Sequence, residues 1–337
     1  QYRDAVGHVL ALSDTITVET APPLPAGLLE RWFGADRYAT ALAISSETFE
    51  SADTVIIATG AAFPDALAAS GLAGAYEAPL LLTTPTTLPG GLSAEIARLG
   101  ATTAIIVGGE SAVSPAVAAE LDALPNVSVN RVYGANRFAT AVAVAEEIEG
   151  VMGAEFAGRA FIARADSFAD ALAVSPLAYS QKMPVLLTAT ASLNGDTSAA
   201  ITSLGITECI IAGGTAAVST DVQAAIDALP DVSVERWSGA DRYATAVAVA
   251  TNGIDRGWAS WRFVGIATGA SFPDALGGGV SAGAYEGVLL MTAPTALSAP
   301  AQAALEDHAA EIEAVRIFGG TSAVSADVET AIGGALQ

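Results

Sequence analysis

Arg31-Trp-Phe-Gly-Ala-Asp-Arg-Tyr-Ala-Thr-Ala41 is the first of three copies of one stretch of sequence. The other copies are Arg131-Val-Tyr-Gly-Ala-Asn-Arg-Phe-Ala-Thr-Ala141 and Arg236-Trp-Ser-Gly-Ala-Asp-Arg-Tyr-Ala-Thr-Ala246. They lie about 100 residues apart, which is too long for a solenoid repeat and long enough for a small domain. We therefore predict three tandem modules at 25–124, 125–229 and 230–337, after an N-terminal extension or linker at 1–24.

Strand and helix patterns alternate within each copy. A strand leads into the repeated stretch, as in Val127-Ser-Val129-Asn-Arg131, where the valines and the arginine share one face. Three apolar runs without alternation follow, and in the first copy they are Val55–Ala58, Pro79–Thr83 and Ala104–Val107. Such runs, separated by helical patterns, are typical of parallel strands covered on both faces. Each copy is thus predicted to be a doubly wound α/β unit.

Local signals refine this picture at two places. Ser114 and Pro115 predict an N-cap and a first helical residue, and Ser219 and Ser325 occupy the same position in the later copies. The third copy ends without the strand that follows its last helix, whereas Thr15–Thr20 alternates like a strand and has no helix of its own. We predict that Thr15–Thr20 lies against the third module and closes the ring of modules.

The composition excludes several classes of function. The chain of 337 residues has 14 cationic and 36 acidic side chains and a formal charge of −22, which argues against nucleic-acid binding and against docking on anionic lipid. No segment has the pattern of a membrane span. Cys209 is the single cysteine, so a disulfide within the chain and a thiolate metal cluster are excluded, and we expect a buried, inert thiol.

The cations concentrate in the repeated stretch. All of them except Lys182 are arginines, and six of these arginines lie in the three copies. They are predicted at the carboxyl ends of strands, where open α/β sheets bind ligands, together with an acid that follows the next strand. The candidate binding residues are Arg31, Arg37, Asp65, Arg131, Arg137, Asp170, Arg236, Arg242 and Asp274.

Each candidate also has a structural interpretation. The acids can serve as N-caps or first-turn acids of helices. The arginines can bridge to those acids or bind loop carbonyls, or their planar forks can contact a phosphate or carboxylate of a ligand. The sequence leaves these alternatives open.

Signals for catalysis, metals or cofactors are weak. The double glycines Gly108-Gly109, Gly213-Gly214 and Gly319-Gly320 match no phosphate-binding motif and are interpreted as tight turns. His8 and His308 do not recur, and the acidic neighbours of His308 indicate a solvated helix face more than a metal site. No G-x-S-x-G motif is present. We expect no catalytic residue, metal or cofactor.

Four motifs recur in order and resemble those of the cell wall-binding repeat 2 family. They are R-x-x-G-x-[DN]-R-[YF]-x-T-A, T-G-x-x-F-P-D-A-L at Thr59–Leu67, P-L-L-L-T at Pro79–Thr83 and G-G-x-x-A-V-S at Gly108–Ser114. The third copy matches at Thr268–Leu276, Leu289-Leu290 and Gly319–Ser325. The resemblance covers about residues 25–337. It implies three Rossmann-like modules packed as a pseudo-threefold triangle.

The resemblance further implies a non-catalytic function. The family anchors exported proteins to the cell wall, so we expect a secreted, surface-bound monomer whose partner is an anionic wall polymer, with peptidoglycan as an alternative. An amidase-like wall hydrolase and a surface-layer assembly protein remain as other hypotheses. The middle copy departs from the pattern, with Arg164-Ala-Asp166 in place of Thr59-Gly-Ala61, Ala169 in place of Pro64 and Asn136 in place of an acid, which leaves its binding open.

Overall fold

Residues 23–337, which the computed structural model describes, contain three four-stranded sheets in which every strand pairing is parallel. The strands are β1 Leu29–Trp32, β2 Thr54–Thr59, β3 Leu80–Thr83, β4 Thr103–Val107, β5 Ser128–Val132, β6 Arg159–Arg164, β7 Val185–Thr188, β8 Glu208–Ala212, β9 Ser233–Trp237, β10 Phe263–Thr268, β11 Val288–Thr292 and β12 Ala314–Phe318. The predicted α/β class with parallel sheets is confirmed.

Helices connect the strands, and several begin at the predicted caps. They are α1 Arg37–Thr48, α2 Ala69–Ala75, α3 Leu92–Leu99, α4 Pro115–Asp122, α5 Arg137–Met152, α6 Ala169–Ala173, α7 Ser175–Ser180, α8 Gly195–Ser203, α9 Thr220–Asp227, α10 Arg242–Asp255, α11 Pro273–Ala284, α12 Ala299–Asp307 and α13 Ala326–Ala335. Short 3-10 turns lie at Ala66–Ala68 and Gly153–Glu155. The side chains of Ser114, Ser219 and Ser325 accept backbone N–H bonds at the starts of α4, α9 and α13, as predicted. Within 23–337, no helix has the length and apolarity needed to cross a membrane.

Each sheet takes one edge strand from the following sequence repeat. The strand orders are β3-β2-β4-β5, β7-β6-β8-β9 and β11-β10-β12-β1. Because β5, β9 and β1 lead into the copies of the repeated stretch, the sheets are out of phase with the sequence repeats. The limits drawn from the sequence, 25–124, 125–229 and 230–337, therefore mark sequence repeats. That each of these ranges is a domain stays a prediction.

Strand β1 closes the ring of modules. Leu29 and Trp32 are in parallel register with Val315 and Phe318 of β12, so the first described strand completes the sheet of the last repeat. The sequence analysis predicts this role for Thr15–Thr20. That segment lies outside the described residues, and the edge of β12 is occupied by β1.

A fully buried arginine reinforces the closure. Arg316, in the middle of β12, is 0% exposed and donates to the backbone carbonyls of Pro25, Ala26 and Gly27. Its guanidinium lies 5.3 Å from the ring centroid of Trp32. The side chain thus binds the chain just before β1 to the third sheet.

The hydrophobic core has one shared central part and a separate outer part in each module. Along β2, Ile56 and Ala58 pack in the central part, whereas Val55 and Ile57 pack in the outer part of the first module, as alternation along a strand requires. The central part includes residues from all three modules. The modules are therefore joined by one continuous apolar interior.

Three central helices mark a pseudo-threefold arrangement. Helices α2, α7 and α11 each contact the other two. Near their beginnings, the rings of Phe63, Phe168 and Phe272 pair in all three combinations, with centroids 5.7, 5.7 and 6.0 Å apart. The predicted triangular packing of modules is confirmed.

Candidate functional site

Polar clefts lie at the carboxyl ends of the sheets, where two sequence repeats meet. Pocket A, of about 350 Å³, lies between Arg37 at the start of α1 and Asp274 at the start of α11. Pocket B, of about 290 Å³, lies between Arg137 at the start of α5 and Asp65. At the equivalent place, which we call junction C, the charge of Arg242 acts on Asp170. The volumes are near the lower end of the range of about 300–1,000 Å³ that is usual for small-molecule sites.

The repeated stretch forms the helix start that borders each cleft. Asp36, Asn136 and Asp241 are the N-caps of α1, α5 and α10, and each side chain accepts two backbone N–H bonds. Asparagine caps as aspartate does, so Asn136 is structurally equivalent to the acids. The buried hydroxyls of Thr40, Thr140 and Thr245 accept from the backbone N–H of the glycine six residues earlier. The cap and the threonine fix the turn from strand to helix.

The first arginine of each stretch binds the double-glycine turn. Arg31, Arg131 and Arg236 donate from Nη1 to the carbonyls of Gly319, Gly108 and Gly213, at 2.8, 2.8 and 2.7 Å. Arg31 also pairs with Glu329 at 2.8 Å and its side chain is only 8% exposed. Arg236 donates to the amide oxygen of Gln223. These three arginines join β1, β5 and β9 to the sheets that they complete.

The second arginine of each stretch binds a strand-end carbonyl from the mouth of the cleft. Arg37 and Arg137 donate from Nη1 to the carbonyls of Gly60 and Ala165 at 2.6 Å, and Arg242 donates to that of Gly269. Arg37 and Arg242 are exposed, and Arg137 is half-buried. The guanidinium groups of Arg37 and Arg242 lie 5.8 and 5.6 Å from the rings of Phe272 and Phe168.

Ion pairing separates the arginines of the repeated stretch from the others. Within residues 23–337, seven arginines have a carboxylate oxygen within 4 Å, and Arg31 is the only member of the stretch among them. The arginines of the described chain without such a carboxylate are Arg37, Arg131, Arg137, Arg236 and Arg242. The predicted bridge from these arginines to Asp65, Asp170 or Asp274 is therefore not a close ion pair.

The three acids lie beside the double glycines, Asp170 buried and Asp65 and Asp274 half-buried. A Cβ placed on Gly108 would lie 2.8 Å from a carboxylate oxygen of Asp65, and Gly213 and Gly319 approach Asp170 and Asp274 even more closely. Asp65 stands at the N-cap position of the 3-10 turn Ala66–Ala68, and Asp170 and Asp274 are first-turn acids of α6 and α11, as the structural interpretation of the sequence predicts. Asp65 makes no capping hydrogen bond through its side chain.

Burial raises the pKa of all three carboxyls. The pKa of Asp274 rises to about 6, and the charge of Arg37 opposes the rise. Burial also raises the pKa of Asp65, against a hydrogen bond from Thr140 and the charge of Arg137. For Asp170, burial is opposed by the charges of Arg164 and Arg242. Each cleft therefore holds an arginine and a carboxyl whose pKa is raised by burial.

Junction C differs from pockets A and B because an extra ion pair lies in it. Arg164 Nε is 2.6 Å from a carboxylate oxygen of Asp166, where the other copies have threonine and alanine. In those copies Thr59 and Thr268 accept the backbone N–H of Ala61 and Ala270 instead. Arg164 and Asp166 thus change the chemistry of junction C and not the fold, whereas Asn136 lies in pocket B.

Within residues 23–337, the remaining candidates from the sequence lie in the core or contact neighbouring side chains, which gives them a structural role. The apolar runs Leu80–Leu82, Val185–Leu187 and Leu289-Leu290 are buried strands. Cys209 is buried, as predicted, and burial raises the pKa of its thiol to about 12. His308 stacks on Trp261 at 4.3 Å and bonds to Glu311, and no group of three potential metal-binding side chains occurs in the described part of the chain. His8 lies outside that part.

Two exposed aromatic residues beside the clefts were missed by the sequence analysis. Phe33 and Tyr133 follow Trp32 and Val132 and are 54% and 55% exposed. Alternation along the strand indicates their exposure, because the residue after an inward-facing apolar side chain faces outward.

The fold and the clefts together define a class of protein: tandem parallel α/β modules about a pseudo-threefold axis, with equivalent polar sites where the repeats meet. The family model for cell wall binding domain 2 (CWB2) matches residues 31–118, 131–223 and 236–329. The chain belongs to this family.

Relatives and solved structures agree with this assignment. The chain is 33% identical over 300 residues to the N-acetylmuramoyl-L-alanine amidase LytC of Bacillus subtilis (strain 168), covering 89% of this chain and 57% of the relative. It is 29% identical to the amidase enhancer of the same organism, covering 90% and 40%. Cwp6 and Cwp8 from Clostridium difficile superpose with TM-scores of 0.81 and 0.80, each at 25% identity, covering 97% and 92% of this chain and 51% and 52% of theirs. The chain thus spans about half the length of the proteins it matches.

Proposed function

We propose that the clefts bind an anionic cell-wall glycopolymer and so retain an exported protein at the cell surface without a covalent bond. The observation that carries the proposal is the ion-pairing pattern of the arginines. Acids outnumber cations 36 to 14, yet among residues 23–337 no carboxylate lies within 4 Å of the second arginine of any copy of the stretch. A guanidinium group without a close ion pair is available to an external anion.

The hydrogen bonds of these arginines support this role. In Arg37 and Arg242, Nη1 is held by a strand-end carbonyl, which fixes the plane of the guanidinium while the side chain stays exposed. A planar fork held in this way suits a phosphate or carboxylate, which can accept two parallel N–H bonds. The aromatic rings beneath Arg37 and Arg242 further restrict their orientation.

The net charge of −22 does not oppose local anion binding. Exposed charges more than about 10 Å apart are largely screened at ordinary salt concentration. Within pocket A, the nearby acid Asp274 has a pKa raised to about 6, so its negative charge is partly removed in mildly acidic surroundings. Arg37 therefore meets less opposing charge from Asp274 in mildly acidic surroundings.

The repetition of the site suits a polymer. Three equivalent sites that each bind weakly can together exceed the affinity of one site by about 10²–10⁴ when they engage one repetitive chain. An enzyme needs one set of catalytic groups, whereas the arginine and aspartate of this site recur three times. The similarity to an N-acetylmuramoyl-L-alanine amidase and to an amidase enhancer supports a location in the cell wall.

A wall-binding experiment tests the proposal. Purified Gram-positive walls would be sedimented with the protein before and after stepwise removal of their secondary anionic polymers. We expect binding to fall when those polymers are removed. Unchanged binding would redirect the proposal to peptidoglycan, and no binding to intact walls would contradict it.

Two further measurements separate the rival functions. Release of soluble muropeptides by the purified protein would indicate an amidase-like hydrolase. Assembly into sheets without affinity for walls would indicate a surface-layer protein without polymer recognition.

A further inference from the structure

Phe33 and Tyr133 occupy equivalent positions in the first and second repeats, and both are more than half exposed. In the described chain, four large hydrophobic side chains are exposed, and the other two, Leu28 and Val151, are aliphatic. A single exposed hydrophobic side chain is ordinary. An aromatic ring exposed twice at the same place in the repeat, beside a polar cleft each time, is a feature of the site.

Each ring borders its cleft. The following residues, Gly34 and Gly134, line pockets A and B. A Cβ on Gly320 would lie 3.7 Å from Cδ2 of Phe33, and one on Gly109 would lie 3.6 Å from Cδ2 of Tyr133. These two glycines also line the pockets, so each ring stands at the rim, against backbone with no side chain in between.

We propose that Phe33 and Tyr133 are stacking platforms for sugar rings of the polymer bound at pockets A and B. This inference rests on the proposed function. It concerns the sugar rings of the polymer, whereas the arginines recognise its anionic groups. The C–H groups on one face of a pyranose ring carry partial positive charge and are attracted to the negative face of an aromatic ring. Arg37 and Arg137 would meet the anionic group of the polymer, and the aromatic ring would meet the neighbouring sugar.

The surroundings of Tyr133 favour a chain over a single sugar. Tyr133 also borders a second cleft of about 350 Å³ between α5 and α8, lined by Ala143 and Asp196 among others. A glycan in pocket B could therefore continue past the Tyr133 ring along these helices. The hydroxyl of Ser111, an exposed residue in pocket B, is a suitable partner for sugar hydroxyls.

Junction C provides an internal contrast. Ser238 stands where Phe33 and Tyr133 stand, and the glycine equivalent to Gly109 and Gly320, Gly214, has nothing within 4 Å of its Cβ position. Junction C therefore lacks a platform while it keeps Arg242. We expect stacking at two places and a charge contact alone at the third.

The platform is tested by comparing leucine with aromatic replacements. The double variant Phe33→Leu, Tyr133→Leu keeps apolar area but removes the rings, and we expect its affinity for purified Gram-positive walls to fall about 10-fold or more, since aromatic stacking at two sites is lost. The exchange Phe33→Tyr, Tyr133→Phe keeps both rings and should bind within about 2-fold of wild type. Leu28→Ala with Val151→Ala is the matched control at exposed apolar positions and should bind as wild type. Undiminished binding of the leucine variant to walls would overturn the stacking platform. The same result is expected if the two rings contact a protein and not the wall polymer.

A second measurement distinguishes failure of the platform from failure of the proposed function. Fragments released from the same walls by a muramidase would be titrated into protein with isotope-labelled Phe and Tyr rings. We expect the ring resonances of Phe33 and Tyr133, identified with the leucine variants, to shift on titration. If wild type binds walls without such shifts, the platform is wrong and the wall-binding function stands. If wild type does not bind walls, the proposed function is wrong. In that case, ring shifts with the fragments would still support stacking on sugars, and their absence would overturn it.

Discussion

Asp274 of the third repeat and Arg37 of the first share pocket A. Burial raises the pKa of Asp274 from 3.8 to about 6, and the charge of Arg37 opposes that rise. A change of this size in the pKa corresponds to about 3 kcal/mol between the two protonation states. The folded protein therefore holds this proton more tightly than the unfolded chain does.

The first prediction concerns the pH dependence that follows. Because the folded pKa is raised, the contribution of Asp274 to the free energy of unfolding is complete below about pH 4 and is lost as the pH rises through about 6. Asp274→Asn abolishes this titration. We expect the variant to be more stable than wild type by about 1–3 kcal/mol near neutral pH, and the difference to shrink towards pH 4, in urea unfolding at several pH values. Asp122→Asn, at an exposed site on α4, is the control. A difference that does not vary with pH would contradict the argument.

The second prediction separates binding from stability. Arg37→Gln together with Arg242→Gln removes one hydrogen bond to a carbonyl at each site, which costs about 1 kcal/mol per site. Affinity for walls should fall about 10²-fold, because two sites of a multivalent set are lost. Sedimentation with walls and thermal unfolding measure the two effects. Arg159→Gln with Arg262→Gln makes the same change of charge at arginines that pair with glutamates.

Two results would redirect this prediction. Unfolding of the double variant would show that Arg37 and Arg242 are scaffolding. A folded variant that still binds walls would place the site elsewhere, with Arg164 as the next residue to test.

The third prediction concerns closure of the ring. Arg316→Met leaves the carbonyls of Pro25, Ala26 and Gly27 without their donor, and we expect a loss of about 2–4 kcal/mol of stability. Amide exchange of Val315, whose N–H donates to Leu28 across the closure, should accelerate more than that of the other sheets. Arg262→Met, at a surface ion pair, should change neither measurement by much. Equal acceleration in all three sheets would show that Arg316 stabilises the whole core and not the closure.

The fourth prediction compares two glycines in helices. Gly74 of α2 packs so closely on α7 that an added Cβ would overlap the backbone oxygen of Tyr179. Gly150 of α5 is exposed with open space around it. We expect Gly74→Ala to cost about 1–3 kcal/mol or more, because backbone must move, and Gly150→Ala to add about 0.5–1 kcal/mol through helix propensity. Chemical unfolding of both variants measures this, and a stabilising Gly74→Ala would show that the central helices can separate at no cost.

The α/β class was predictable because its signals are local. Apolar runs such as Val55–Ala58 carry the strand pattern, and Ser114 with Pro115 marks a helix start, whatever lies elsewhere in the chain. The partners of β1 were not predictable from Leu29–Trp32 alone, because any exposed sheet edge can accept a strand of this length. Thr15–Thr20 has the better alternation of apolar and polar residues, and its pattern therefore favours it over Leu29–Trp32 as the closing strand.

The sequence predicts which residues belong to the candidate site, but it does not predict their contacts. Repetition identified the arginines and aspartates, but no sequence pattern shows which guanidinium has an acid nearby. Arg31 pairs with Glu329 from the far end of the described chain, whereas no acid among residues 23–337 pairs with Arg37. Arg316 was hidden because it occupies a place where Ile105 and Ile210 stand in the other copies. Its role depends on the carbonyls of residues 25–27, which only the folded ring brings to it.

The exchange of edge strands gives the molecule a circular order. Helix α13 lies beside β1, with the Cβ position of Gly333 3.6 Å from Leu29, so the last described helix and the first described strand are neighbours. A circular permutant that joins residue 337 to residue 25 and opens between α4 and β5 would begin with β5 and end with α4. Each sheet would still contain the same four strands, with β5 now reaching its sheet from the new amino terminus. A single repeat excised at 125–229, in contrast, would carry β5 without its partner β4 and would lack β9. A module exchanged between such proteins should therefore contain all four strands of one sheet, which for the first sheet means residues 54–132. Boundaries at the limits of the sequence repeats would divide a sheet.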